Sequence, residues 1–261
     1  MAASVNDLSF LLSPRSIAIV GASGDAAKVN GRTLRYLLAK GYAGAIYPVN
    51  PKYPRIGALA CYPTAAEIPE AVDLAVIAVP AALVPQALDD LGRRGAKAAI
   101  VFSSGFAEMG EEGRALEQQV VATAKASNIR LCGPNCLGLI NAFDNVMATF
   151  GQFAEGETTP GPVGFVTQSG AFGTAIAALA RQRGMGLGYF VNTGNEGDVD
   201  FVAAMRAVLA DPRITVGAGY LEGLKDGVGL MALAERALSE GKPLVLTKVG
   251  RTRTGARAAA S

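Results

Sequence analysis

A short apolar run, closed by a turn of glycine, serine, proline or asparagine and followed by a helical segment, recurs along the whole chain. Nothing else in the sequence limits the fold as tightly. In the first half the runs are Ile17–Val20, Ala45–Val49, Leu74–Val79, Ala98–Phe102 and Arg130–Cys132; in the second they are Gly164–Thr167, Leu187–Val191, Thr215–Leu221 and Leu244–Val249. Runs that are apolar throughout, rather than at alternate positions, predict strands buried on both faces, and the helical segments between them predict parallel pairing. Those segments fall at about 83–94, 111–127, 171–183, 199–209 and 228–239, with a shorter piece around Leu8–Leu12. The chain therefore reads as α/β, with a Rossmann-like domain over residues 1–145 and a flavodoxin-like domain over 146–261. The segment 151–162, rich in Gly, Thr, Glu and Pro, reads as the connection out of the first domain. The second domain has four strand–helix steps with the last unfinished, so it is expected to be cut short at its C-terminal end.

Bulk numbers fit this plan and exclude several functions. A chain of 261 residues, half of them hydrophobic and 18% charged, can fill two cores and is not a disordered chain. Lys plus Arg number 24 against 22 acids, which gives no electrostatic case for nucleic acid or an anionic membrane. No basic stretch precedes an apolar one at the N-terminus, and the run Leu74–Leu88 is broken by Pro80 and Pro85 and too short to span a bilayer. Three cysteines, Cys61, Cys132 and Cys136, suggest no disulfide framework, and a cytoplasmic location is expected. Histidine is absent. Without it the chain holds no Ser-His-Asp triad, no Cys-His pair and no histidine-bearing zinc site, and no metal ligands are assigned.

In an open parallel sheet, ligands bind where the strands end. In the first domain these ends are Gly21-Ala-Ser-Gly24, Asn50-Pro-Lys52, Pro80-Ala81, Ser103-Ser104-Gly105 and Gly133-Pro-Asn135. Small, backbone-rich ends allow close approach of a nucleotide. The first turn is not a complete Gly-x-Gly-x-x-Gly, and Lys52 stands where an NAD site would carry an acid. A lysine there suits a ligand with an extra phosphate, coenzyme A ahead of NADP, or else it is a solvated loop lysine. Cys132 and Cys136 have the wrong spacing for a redox pair; one is expected in the core and one beside the ligand.

In the second domain, Gly164-Phe-Val-Thr-Gln-Ser-Gly-Ala-Phe-Gly173 reads as strand, turn and helix start. Its free helical N–H groups and Ser169 would seat an anion, or Ser169 would simply cap an ordinary turn. Glu222, directly after Gly219-Tyr-Leu221, either faces a shared site or is a capping or solvated glutamate. Arg251, Arg253 and Arg257 follow the last strand on the same edge and would hold phosphate, an acidic substrate or nothing.

Taken together, these segments resemble the NDP-forming acyl-CoA synthetases, the superfamily of succinyl-CoA synthetase. The resemblance runs from about Leu8 to Ser261 and is carried by Ser-Ile-Ala-Ile-Val-Gly-Ala-Ser at 16–23, Tyr-Pro-Val-Asn-Pro-Lys at 47–52 and Gly-Pro-Asn-Cys-Leu-Gly-Leu-Ile-Asn at 133–141. Val-Thr-Gln-Ser-Gly-Ala at 166–171, Asn-Thr-Gly-Asn-Glu at 192–196 and Tyr-Leu-Glu-Gly at 220–223 complete it. It implies a coenzyme A-binding first domain and a second domain that takes a phosphoryl group on a histidine. From there the group passes to a nucleoside diphosphate held with Mg²⁺ by an ATP-grasp region. By position, Ser169, Gly170 and Ala171 would hold the phosphohistidine and Glu222 would orient its imidazole. Gly21, Ser23, Gly24, Lys52, Pro80, Ser104, Gly105 and Asn135 would line the CoA site.

The sequence departs from the family pattern where the histidine is due. In the acetyl-CoA synthetase branch the small-residue run ending in Ser continues into His-Thr-Gly, and the ATP-grasp region is not in this chain. Both are expected outside it, on a fused region or a beta subunit, within an oligomer. The segment 250–261 is expected to lie near Ser169 and Glu222 or to be poorly ordered. On this reading the chain is the CoA-binding, phosphoryl-relay part of an acyl-CoA ligase, inactive alone. The alternatives are a non-catalytic CoA- or acyl-CoA-binding module and an NADP-dependent oxidoreductase.

Overall fold

A computed structural model describes residues 7–250. Its helices are α1 (Ser9–Leu12), α2 (Val29–Ala39), α3 (Val84–Arg93), α4 (Glu111–Ala126), α5 (Gly170–Gln182), α6 (Phe201–Ala210) and α7 (Gly227–Ser239). The first sheet contains β1 (Ser16–Val20) and β2 (Ala45–Val49), a two-residue ribbon β3 (Arg55–Ile56) and β4 (Leu59–Ala60) lies apart, and β5 (Leu74–Ile77), β6 (Ala98–Val101) and β7 (Arg130–Cys132) complete the first sheet. The strands β8 (Gly138–Asn141), β9 (Val146–Thr149), β10 (Val163–Thr167), β11 (Leu187–Asn192), β12 (Val216–Leu221) and β13 (Leu244–Lys248) form the second.

The first sheet is parallel throughout, in the order β2-β1-β5-β6-β7. Its apolar runs split by alternation. Ala18, Ala75, Ile77, Ala99 and Val101 face one core with Leu88, Leu91 and Val120 of α3 and α4. Ile17, Ile19, Leu74, Val76 and Ile100 face the other. A strand whose successive side chains all meet a core has to be apolar at every position, as the sequence is.

The second sheet runs β13-β12-β10-β11-β8-β9. Its first four strands are parallel, while β8 and β9 pair antiparallel as a hairpin at the far edge. That hairpin follows directly on the last strand of the first sheet, so the chain changes sheets between Cys132 and Gly138. The segment 151–162, expected to lead out of the first domain, instead joins β9 to β10 within the second sheet. Its polar composition marks a surface crossing, and composition does not say which strands a crossing connects.

The second core is continuous with one face of the first, through Leu11, Ile100, Phe102, Leu139, Met147 and Phe190. Two buried polar side chains tie the hairpin back. Thr33 Oγ1 donates to the Thr149 carbonyl at 3.0 Å, and Asn141 Nδ2 donates to the Leu12 carbonyl at 3.0 Å. Among the described residues, no helix is long and apolar enough to cross a membrane.

Candidate functional site

The carboxyl ends of the two sheets meet at two neighbouring clefts. On the second sheet the geometry starts with the turn from β10 into α5. Ser169 is the N-cap, and its Oγ accepts from the Phe172 amide at 3.4 Å. The amides of Gly170 and Ala171 precede the first intrahelical bond and stand at the positive end of the helix dipole, where the sequence leads one to expect an anion seat. Gln168 fixes the neighbouring strand end: its Oε1 accepts from the amides of Glu222 and Gly223 at 2.6 and 2.9 Å, and its Nε2 donates to the Gly223 carbonyl at 3.0 Å. Glu222 is thereby held so that it lines the same cleft as Ser169. Burial pushes the Glu222 carboxyl up from its ordinary value, against the opposing pull of Ser169 and Lys248.

Behind this pair lies a buried brace. Asn192 Nδ2 donates to the carbonyls of Thr167 and Gln168, each at 3.0 Å, and its Oδ1 accepts from the Leu137 amide at 2.6 Å. Glu196 is buried in a left-handed conformation at φ +58°. Its Oε1 accepts from Thr193 Oγ1 at 3.0 Å and from the Phe201 amide at 2.9 Å. Burial raises the Glu196 carboxyl, and hydrogen bonds from Gln168 and Thr193 and the charge of Lys225 oppose the rise. Lys225 Nζ in turn donates to the Glu196 carbonyl at 2.6 Å.

On the first sheet the strand ends bend at glycine. Gly21 has φ +88°, and a Cβ placed there would come within 2.6 Å of the Ala78 carbonyl. Asn30 Nδ2 donates to the Gly21 carbonyl at 2.5 Å, and Asn50 Nδ2 to the Ala22 carbonyl at 2.7 Å. Ser23 is buried, its Oγ accepting from the Asp25 amide at 3.1 Å, while Gly24 is exposed. Lys52 and Pro80 stand exposed beyond the ends of β2 and β5, on either side of β1. A cleft of about 330 Å³ opens between Asn30, Val79, Ser103 and Ser104, with Phe102 and Phe150 as its wall.

The second cleft, about 320 Å³, contains Ser169, Gly170, Glu222, Asn192 and Asn135, and the same two phenylalanines. Ala171 is exposed in the first turn of α5. Asn135, expected along the CoA site, therefore borders the cleft of the anion seat. It sits at φ +55°, and its Nδ2 donates to Asn195 Oδ1 at 3.2 Å. Asn195 carries the link onward, donating to Glu108 at 2.7 Å and to Glu117 at 2.8 Å. Glu108 also accepts from the Gly105 amide at 2.6 Å, so the two strand-end loops share one network. Burial alone would raise the Glu108 carboxyl, but bonds from Asn195 and the Phe106 and Gly105 amides outweigh it and hold the group below its ordinary value.

Both cysteines of the 132–136 segment are buried, and Cys136 also borders the second cleft. Interaction with Cys136, together with burial, holds the Cys132 thiol well above its ordinary value, which disfavours the thiolate. Among the described residues no group of histidine, cysteine, aspartate and glutamate could hold a metal ion. Arg251, Arg253, Arg257 and the rest of 251–261 lie outside the described residues.

Sequence reasoning missed the roles of Gln168, Asn192, Glu196, Glu108 and the two phenylalanines. The quoted runs at 166–171 and 192–196 contain the first three, and their polarity at the end of apolar strands was the available signal. Nothing local marks Glu108 or Phe150.

Comparison with known proteins finds relatives for both halves of the chain. A family model described as a CoA binding domain matches residues 15–142, and one described as a succinyl-CoA ligase like flavodoxin domain matches residues 160–261. The alpha subunit of an ADP-forming acetate–CoA ligase of Pyrococcus furiosus is 39% identical over 258 residues, which is 97% of this chain and 55% of that protein. An ADP-forming 4-hydroxybutyrate–CoA ligase of Nitrosopumilus maritimus is 32% identical over 252 residues, covering 96% of this chain and 36% of the relative. A dinucleotide-forming acetyl-coenzyme A synthetase of Ca. Korarchaeum cryptofilum, solved in complex with phosphate and ADP, superposes with a TM-score of 0.91 at 39% identity, over 98% of this chain and 54% of that one. The chain thus spans from about a third to just over half of the relatives it matches.

Proposed function

The chain belongs to the superfamily of NDP-forming acyl-CoA synthetases, and on that premise we propose that it is the CoA-binding and phosphoryl-relay portion of an acid–thiol ligase. The reaction is acid, CoA and ATP to acyl-CoA, ADP and phosphate. One observation carries the reading: a glycine-bent strand edge and a capped helix N-terminus with a carboxylate beside it open onto two clefts with a common wall.

The first cleft and its rim suit coenzyme A. The close approach of Gly21 to Ala78, the left-handed Gly105 and the small Ser103–Ser104 end leave room for backbone contact with a long ligand. We assign Gly21, Ser23, Gly24, Lys52, Pro80, Ser104, Gly105 and Asn135 to its binding, with Lys52 reading the ribose phosphate. When bound, coenzyme A supplies the thiol that accepts the acyl group. The match to a CoA binding domain supports this ligand over NADP.

In the second cleft Ser169, Gly170 and Ala171 hold the phosphoryl group in transit. Glu222 accepts a hydrogen bond from an imidazole and fixes its orientation. The chain contains no histidine, so that imidazole comes from other polypeptide. The nucleotide belongs with an ATP-grasp region or beta subunit. Mg²⁺ belongs there too, with the nucleotide phosphates.

Calorimetric titration with CoA, dephospho-CoA and NADPH tests the assignment. CoA binds most tightly, and Lys52→Glu weakens it about tenfold, roughly 1.4 kcal/mol, while weakening dephospho-CoA less. Tighter binding of NADPH than of CoA would return the chain to the oxidoreductase class. The purified chain alone turns over no acid, CoA and ATP. A chain that binds CoA, yet supports no turnover once the histidine- and nucleotide-bearing polypeptide is added, would be a binding module instead.

A further inference from the structure

The two clefts have only Phe102 and Phe150 in common. Phe102 follows β6 of the first sheet and Phe150 follows β9 of the second, so each unit contributes one ring. The rings meet edge to face, with centroids 4.9 Å apart and planes at 68°. Such a pair is held by packing and by complementary ring edges and faces, which makes it a stiff partition. Phe102 is almost fully buried, and a Cβ at Gly138 would come within 2.7 Å of its Cε1, so it cannot retreat toward the hairpin. Phe150 is half-buried and faces both clefts.

Resting on the ligase reading, the next step follows from connectivity. With coenzyme A along the first cleft and the phosphoryl group at Ser169 and Gly170 in the second, the reacting acyl carbon lies where the clefts adjoin. That place is the aromatic partition. We propose that Phe102 and Phe150 are the specificity-determining residues for the acyl group, admitting a short chain and excluding a branched or aromatic one. Leu137 and Cys136, which also line the second cleft, complete an apolar surround for a small hydrocarbon tail.

The test uses this chain and the product side of the reaction, so it needs no nucleotide. Affinities of free CoA, acetyl-CoA, butyryl-CoA and benzoyl-CoA are measured by calorimetry, and each acyl-CoA is expressed relative to free CoA. In the unaltered chain acetyl-CoA binds about as tightly as CoA, and benzoyl-CoA roughly tenfold more weakly, a size discrimination within reach of an apolar pocket. Phe150→Ala brings benzoyl-CoA back to within about threefold of CoA, and Phe150→Leu gives an intermediate ratio. The thermal midpoint of each variant reports whether it is folded, and the ratio to free CoA removes any change in CoA binding itself. If all three chains are folded and bind free CoA, and the benzoyl ratio does not move, the partition does not select the acyl group, and the ligase reading stands without it. If free CoA does not bind the unaltered chain, the ligase reading itself falls and this inference falls with it. Should Phe150→Ala fail to fold, the leucine variant alone decides, since an unchanged ratio there overturns the proposal.

Discussion

The strand ends of the two sheets are built in opposite ways. In the first sheet, side chains stand behind and hold the backbone: Asn30 and Asn50 grip the carbonyls of Gly21 and Ala22, and the exposed rim is glycine, serine and proline. In the second sheet the braces hold a side chain forward. Gln168 and Asn192 fix the strand ends so that Glu222 lines the same cleft as Ser169. The first edge suits a ligand that lies along the backbone over a long track. The second suits one charged group at one point, with a carboxylate of raised pKa facing it. The same fold principle, binding at strand ends, thus serves two chemistries according to which groups are kept rigid.

The second edge is the more costly one to disturb. Asn192→Ala removes three hydrogen bonds at a fully buried position, taking from the Leu137 amide its side-chain acceptor, while the Thr167 carbonyl keeps the Thr193 amide. A loss of about 3 kcal/mol is expected in urea denaturation. A loss under about 1 kcal/mol would mean that the brace is redundant and the contrast overstated.

The first edge is vulnerable at its backbone. Gly21→Ala sets a Cβ against the Ala78 carbonyl in a left-handed conformation and should cost about 2 kcal/mol, with CoA binding weakened alongside. Gly24→Ala is the control, because its Cβ would meet only Ile56 Cγ2 at 3.8 Å, and it should stay within about 0.5 kcal/mol. Equal effects of the two would remove the argument for close backbone approach.

A smaller change, Ser169→Ala, deletes the N-cap of α5, for about 1 kcal/mol of stability. The same variant should weaken phosphate binding to the chain, which nuclear magnetic resonance of the Gly170 and Ala171 amides would read directly.

The smallest effect is electrostatic. Burial raises Glu196 above its ordinary 4.5, so the folded chain takes up a proton more readily than the unfolded one. The stability linked to that proton is present in acid and is lost as pH rises through the raised value. Glu196→Gln keeps an oxygen for Thr193 and Phe201 but never ionises. It should therefore flatten the fall in urea midpoint as pH rises above the ordinary glutamate range, leaving the share due to Glu222. An unchanged slope would show that Glu196 is not a group that senses its burial.

Most of the strands were legible because they are buried on both faces and so apolar at every residue. All nine expected runs are strands within two residues of their expected ends. The hairpin β8–β9 was not read. Its two short apolar runs adjoin Gly133-Pro-Asn-Cys-Leu-Gly138, which reads as a loop, and nothing local tells which sheet a strand will join. The ribbon β3–β4 has two residues per strand, below what periodicity resolves. Helix α2 was not marked out, as Gly31 and the buried Thr33 break its apolar stripe for contacts with the Asp25 carbonyl and with Thr149. At the site, glycine turns and the serine cap announced themselves by residue type. The aromatic partition did not, because Phe102 and Phe150 meet only once two sheets have formed.

Thr33 and Asn141 give the shared core a thermodynamic meaning. Each is a buried polar group satisfied across the junction of the two sheets, and the apolar cluster around them draws on both. Melting either half would strip the other of partners for groups that water cannot reach while it stays folded. The two halves are therefore coupled into one cooperative unit, and the clefts between them persist for as long as the chain is folded at all.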